Sequence, residues 1–322
     1  VEIAEDTVVL NADDDLCLAM ADYTTAKTLC YVTINPAHPL VREHTLGGGR
    51  AVVLEQGMNG DMITIYDNGT HIPLLWTHLI PATLEGKAIH NVQNAMFAAG
   101  MAYSMGKSLE DIRHGLRTFT TNFFQTPGRM NIFDEHSYKV ILDYAHNPAA
   151  IDTMCKTIDR FEVEGRKIVI ISAPGDRRDE DVLEMAKLAT GHFDIYVCKA
   201  DDNRRGRDDR EIPLLLSKGL KANGVDAKQI QIIEDETEAV EATLNMAEPG
   251  DLLLIFGDDI TRCWKQIIQF NSETEGAEKT EDESSEKGYV LPDPEAFSLA
   301  EGQKLIRDER GVRLAKSSEQ SD

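Results

Sequence analysis

Basic residues are scarce in this chain: 33 Lys and Arg stand against 56 Asp and Glu, a formal net charge of −23 at pH 7. That balance excludes a general nucleic-acid-binding or anionic-membrane surface, and any nucleotide site needs local positive charge of its own. Aromatic residues make up only 6% of the 322, so the 42% hydrophobic share is mainly aliphatic, which suits Val, Ile and Leu strands in an α/β protein. The five cysteines (Cys17, Cys30, Cys155, Cys198 and Cys263) form no C-x-x-C pair, and the nine histidines show no metal-ligand spacing. A reducing, cytoplasmic setting is the expectation. No apolar run approaches the ~20 residues of a membrane helix, and the opening VEIAEDTVVL is not a signal peptide.

What is present changes in character along the chain. Residues 7–10, 50–55 and 62–66 read as strands, with a Gly/Asn turn at Gly57, Asn59 and Gly60. A helix starts near Leu16 with Asp15 as its expected cap, and residues 89–105 form a helix of small and apolar residues stopped by Gly106. A second helix follows from Ser108. After Pro127-Gly128 the rhythm becomes regular. Apolar strands at 139–142, 167–172, 193–198, 229–233 and 251–256 alternate with helices at 149–161, 179–190, 210–222 and 236–245. Such alternation predicts a mostly parallel sheet covered on both faces, with ligands beyond the C-terminal strand ends. Residues 272–286 hold seven acids and one lysine, the composition of a solvated linker; beyond Tyr289 a short hairpin or docked tail is expected.

The unusual polar clusters fall at those strand ends. In His90-Asn91-Val92-Gln93-Asn94 the two asparagines share a helix face, where their amides can read a base edge, orient a phosphate or simply cap the helix. Arg129, after Pro127-Gly128, offers a forked donor for phosphate or carboxylate, or is plain surface. Asp143-Tyr144-Ala145-His146-Asn147-Pro148 packs a carboxylate, an aromatic ring, an imidazole and an amide into one turn, more than a helix cap needs. Two charged turns follow, at 173–179 and at Asp201-Asp202-Asn203-Arg204-Arg205-Gly206-Arg207. The second can bind a carboxylate and a cation together, or is a solvated charge run. Gly257-Asp258-Asp259 ends the last strand.

In this order the motifs Asn11-Ala12-Asp13-Asp14, HNVQN, Gly128-Arg129 and DYAHNP resemble the Mur ligase superfamily. The stretches PGRMN, LDYAHNPA, APGDRRDED, DDNRRGR and GDLLLIFGDDITRCWKQI are similar to the cyanophycin synthetases within it. The resemblance covers about residues 1–271 and implies a C-terminal portion of an ATPase domain over 1–126. A Rossmann-like, mostly parallel-sheet domain over 127–271 follows, then an acidic linker over 272–288 and a tail over 289–322. It implies an ATP- and Mg²⁺-dependent acid–amino acid ligase. MgATP phosphorylates a carboxylate to an acyl phosphate, and an amine displaces phosphate to give the amide, with positioning and charge stabilisation as the main work of the protein.

Carried over by position, Asn94 contacts adenine, Asn91 supports the nucleotide pocket, Arg129 reaches the phosphates, Asp143 holds the ribose side and His146 lines the same cleft. Arg129, Asp143 and His146 are thus the expected catalytic set. Asp201, Asp202, Asn203, Arg204 and Arg205 match the place where relatives hold the incoming amino acid. For a cyanophycin synthetase that is arginine, added to the β-carboxyl of aspartate in a poly-aspartate-backbone polymer. Arg204 or Arg205 is expected on its α-carboxylate, with Asp201 or Asp202 on its guanidinium. A homo-oligomeric whole enzyme is implied. The sequence departs from the family in lacking G-x-x-x-x-G-K-[ST], the loop that cradles ATP phosphates, and in lacking the upstream Mg²⁺ ligands and an ATP-grasp half. The expectation is therefore a fragment of a longer polypeptide, inactive alone. The competing expectations are another Mur-type ligase, of the peptidoglycan-precursor or folylpolyglutamate kind, and a non-catalytic nucleotide- or polymer-binding module.

Overall fold

Alternating apolar residues build the first layer. In a computed structural model that describes residues 1–270, 303–308 and 311–316, the chain opens with β1 (Thr7–Asn11), the short helix α1 (Asp15–Ala19), β2 (Thr28–Thr33), α2 (Pro39–Leu46), β3 (Arg50–Gly57), β4 (Gly60–Asp67) and β5 (Thr70–Trp76). These strands form one sheet in the order β1-β2-β3-β4-β5. The first three are parallel and the last two antiparallel additions. Helix α3 (Ile89–Ser104) lies on this sheet through Val92, Ala95, Met96, Ala99 and Gly100. Small residues allow the close approach: a Cβ at Gly100 would stand 3.1 Å from Val52 Cγ2. Helix α4 (Leu109–Thr118) adds Ile112 and Leu116 to the same core. The opposite face is closed by Val8, Leu10, Tyr31, Val41 and Val53.

The second layer begins with β6 (Asn131–Phe133) and β7 (Lys139–Asp143), followed by α5 (Pro148–Ile158), β8 (Lys167–Ile171), α6 (Asp179–Ala189), β9 (Ile195–Cys198), α7 (Glu211–Ala222), β10 (Ile230–Ile232), α8 (Glu236–Met246), β11 (Leu252–Phe256) and α9 (Ile260–Gln269). Its strands run β10-β9-β8-β11-β7-β6, parallel except for β6. Ile141, Val169, Leu254 and Phe256 pack with α5, α6 and α7 on one face, and Val140, Ile170 and Ile255 pack with α8 and α9 on the other. A sheet buried on both faces explains why its strands read as unbroken apolar runs. Each fully buried Ile or Leu stabilises by about 1.5–3 kcal/mol. All the parallel strands deliver their following turns to one end, and the strand order reverses between β8 and β7, where β11 is inserted.

Several local expectations need correction. The cap of α1 is Asp14, whose Oδ1 accepts from the Cys17 N–H at 2.8 Å, and not Asp15, the first helical residue. The sequence reading did not include β2, β5, β6, α2 or α9. Both sheets belong to one compact unit. Separately, β12 (Gln303–Asp308) and β13 (Gly311–Lys316) pair as an antiparallel hairpin. The acidic segment 272–288 and the rest of the tail lie outside the described residues.

Candidate functional site

The turn that follows the first layer is built to turn Arg129 outward. Gly128 and Met130 both adopt left-handed backbone, at φ +69° and +47°. A Cβ at Gly128 would meet Ile260 Cγ1 at 2.9 Å, so both the conformation and the space require glycine. Asn131 holds the loop closed: its Oδ1 accepts from Gly128 N–H at 2.7 Å, and its amide donates to the carbonyls of Thr121 and Thr126. Met130 is consequently buried, its N–H donating to Asp143 Oδ2 at 2.9 Å. Arg129 between them is exposed, and no described residue hydrogen-bonds its guanidinium.

Asp143 ends β7 with 7% of its surface exposed. Burial raises its carboxyl above the ordinary Asp value, against the lowering effect of the Met130 and Ala145 N–H groups and of Arg129. Facing it from the first layer, Asn91 donates to the Ala82 carbonyl at 2.8 Å and accepts from the Asn94 amide at 3.2 Å. This relay leaves the Asn94 Oδ1 without a partner among the described residues, at an exposed position. His90 beside them has a buried Nδ1 with no partner among the described residues, and burial lowers its pKa below the ordinary histidine value. His90, Asn91, Asn94, Arg129, Met130 and Asp143 line one cleft of about 330 Å³. Asn91, Asn94 and Arg129 also border a neighbouring cavity of about 580 Å³, walled by alanines of α3 and by Ile112, Leu116 and Phe119. His146 is not among the residues lining either cavity; its Nδ1 lies 2.8 Å from the Tyr144 carbonyl and its ring packs on Tyr144 at 4.8 Å.

The loop 201–207 is organised differently, because nearly every charge in it already has a partner. Asp202 receives both terminal nitrogens of Arg262, at 2.7 and 3.0 Å, and its N–H donates to Asp258 Oδ2 at 2.9 Å. Arg204 pairs with Asp209 at 2.9 Å, and Arg205, at φ +48°, pairs with Asp176 at 2.7 Å. Asn203 Oδ1 accepts from the Arg205 N–H at 3.1 Å. Arg207 ties the loop to the preceding turn by donating to the Gly175 and Arg177 carbonyls and pairing with Asp179. The two turns touch directly, for a Cβ at Gly175 would overlap the Arg204 carbonyl at 2.0 Å.

Beneath this loop is a buried ion network that the sequence reading missed. Lys199, fully buried, lies 2.9 Å from Glu236, 3.1 Å from Ser172 Oγ and 3.5 Å from Asp201. Glu236 sits in the first turn of α8 and also accepts from the Asp258 and Asp259 N–H groups and from Arg262 at 2.6 Å. Burial opposes its ionisation, yet Lys199 and the backbone donors prevail and hold it down at about 2. Burial likewise opposes the Lys199 charge, and Glu236 and Asp201 outweigh it to raise that ammonium's pKa. The available signal was Lys199 itself, a lysine closing the apolar run YVC before two acids. Glu236 stood out only as the start of a predicted helix, and Arg262 only as part of the stretch GDLLLIFGDDITRCWKQI. Among the described residues no group of three or more His, Cys, Asp or Glu could hold a metal ion, and no helix is long and apolar enough to cross a membrane.

Comparison with known proteins bears on the fold and the family. Residues 128–258 match the family described as Mur ligase, glutamate ligase domain. Cyanophycin synthetase from Trichormus variabilis is 39% identical over 259 residues, 80% of this chain and 28% of that protein. Its counterpart from Crocosphaera subtropica is 36% identical, over 83% of this chain and 30% of that protein. The chain thus spans under a third of the length of these relatives. Among solved structures, E. coli FolC in complex with DHPP and ADP is similar in fold, with a TM-score of 0.56 at 18% identity, covering 83% of this chain and 54% of that one. Residues 128–258 thus match the Mur ligase glutamate-ligase domain, and the chain is similar to cyanophycin synthetases over four-fifths of its own length.

Proposed function

We propose that this chain supplies the adenine side and the amino-acid side of an ATP-dependent acid–amino acid ligase that adds arginine to the β-carboxyl of aspartate residues. The observation that carries the reading is the meeting of Asn91, Asn94, Arg129 and Asp143 around one cleft from both layers of the fold. The relay from Ala82 through Asn91 orients Asn94 so that its free Oδ1 can accept from an exocyclic amine of a base. The apolar cavity beside it suits a flat ring. Arg129 brings the local positive charge that a chain of net charge −23 requires to hold phosphates. Asp143, buried and hydrogen-bonded, fixes the Arg129 loop from below and offers its remaining oxygen toward a ribose hydroxyl.

ATP enters as its magnesium complex. The acceptor carboxylate attacks the γ-phosphorus and ADP leaves; the α-amino group of the incoming amino acid then attacks the acyl carbon and phosphate departs. Arg205, exposed and paired only with exposed Asp176, is the group suited to the amino acid's α-carboxylate. The acceptor is an aspartate-backbone polymer and the setting is cytoplasmic.

The test is to incubate the complete gene product with ATP, a short Asp-Arg primer and single amino acids. ADP release and primer growth that depend on arginine support the reading. Turnover with glutamate or diaminopimelate instead would assign a related ligase chemistry, and nucleotide binding without turnover would assign a binding module.

A further inference from the structure

The guanidinium of Arg262 already occupies the carboxylate that the 201–207 loop offers to a cation. Its two terminal nitrogens grip both oxygens of Asp202 in a forked pair. The same side chain reaches Glu236, which is fully buried and anchored by Lys199 and two backbone N–H groups. Asp202 is the solvent-facing partner, with 47% of its side chain exposed against 0% for Glu236. A second observation indicates that this seat is not the only one. Arg262 Nε is a buried donor without a partner, and Gln266 Oε1 is a buried acceptor without a partner. These residues are four apart on α9 and therefore on one face of the helix. Withdrawal of Arg262 from Asp202 toward Gln266 satisfies both atoms while Glu236 keeps its cation.

We propose that Arg262 is a resident stand-in for the substrate's cationic group, and that a guanidinium-bearing amino acid enters by exchange: it takes Asp202, and Arg262 retreats onto Glu236 and Gln266. This rests on the reading of the loop as the amino-acid site, and it adds a reason for selectivity. The site stays closed and charge-neutralised until a ligand arrives that can replace a forked guanidinium, which a planar guanidinium does better than an ammonium and a neutral ureido group does not. Release of a half-exposed ion pair is a small barrier to entry.

The test is calorimetric titration of the chain, in the presence of ADP, with L-arginine, L-lysine and the uncharged isostere L-citrulline. Arg262→Met vacates the seat while keeping most of the apolar stem, and Arg262→Lys keeps a cation for Glu236 but loses the fork. Both are expected to tighten arginine binding by about two- to five-fold, the range for freeing one half-exposed pair. Citrulline is unaffected, and adding Asp202→Asn to either variant abolishes the gain. In the wild type, the side-chain Nε–H resonance of Arg262 shifts as arginine saturates. If the variants bind arginine unchanged or more weakly, exchange is wrong while the loop remains the amino-acid site. If neither wild type nor variants bind arginine, the loop assignment falls and exchange falls with it.

Discussion

The cleft at Arg129 and the corner at loop 201–207 use similar groups in opposite states. At Arg129 the guanidinium is exposed and unpartnered, the Asn94 carbonyl is free, and a buried His90 nitrogen lacks a partner. In the loop, Asp202, Arg204, Arg205 and Arg207 are all paired within the chain, and a buried Lys199–Glu236 pair lies underneath. The first region is open and ready for a ligand, whereas the second must exchange internal partners for external ones. The difference shows why a charge cluster in a sequence is weak evidence for a vacant site: opposite charges at neighbouring strand ends satisfy one another first. It also shows where the two regions are braced. Arg129's loop rests on the single buried carboxylate Asp143, and the 201–207 loop on a fully buried ion pair.

Changes that break the comparison at its base should have the largest effect. Lys199→Met takes from buried Glu236 its fully buried cation, leaving it the partly exposed Arg262, and should cost about 3–5 kcal/mol in urea unfolding. Gly128→Ala forces a left-handed Ala against Ile260 and should cost about 1–3 kcal/mol, read as a lowered melting temperature. Acid should reach the open cleft first, through the raised Asp143 carboxyl, and unbrace the loop at lower pH. The pKa of Glu236 is depressed from 4.5 to about 2, so its contribution is complete above 4.5 and is lost as pH falls toward 2. Stability should fall across that window by at most about 1.4 kcal/mol per pH unit from this group, and Glu236→Gln should flatten the slope. Arg129→Ala, by contrast, should leave the melting temperature unchanged and lower ADP affinity about tenfold, the scale of one charge-assisted hydrogen bond. Asp176→Asn touches only an exposed pair with Arg205 and should leave unfolding unchanged.

Much of the second layer was legible because strands buried on both faces read as unbroken apolar runs: KVIL, KIVII and LLLIF fall within a residue or so of their observed limits. The first layer was harder. β5 carries Pro73, tolerated there because the strand is at the sheet edge, and β2 is framed by threonines that mask its apolar centre. α2 opens on Pro39 and is capped by a histidine, His38, an uncommon cap. α9 buries only Cys263 and Ile267, so its amphipathic pattern was read merely as the end of a motif. At the site, Asn91, Asn94, Arg129 and Asp143 line one cleft, at turns and helix starts that the sequence marks, and His146 does not line it. What the sequence did not disclose was pairing: that Asp202 belongs to Arg262, sixty residues away, is set by which turns the parallel sheet brings side by side.

The central claim is that residues from both layers form a single nucleotide cleft, and an NMR titration of the chain with ADP tests it most directly. The account predicts saturable shifts in the side-chain amides of Asn91 and Asn94 and in Arg129 Nε–H, all following one dissociation constant, with the response weakened throughout by either Asn94→Ala or Arg129→Ala. Saturable ADP binding that leaves these three resonances unmoved, or that keeps its affinity in both variants, would contradict it.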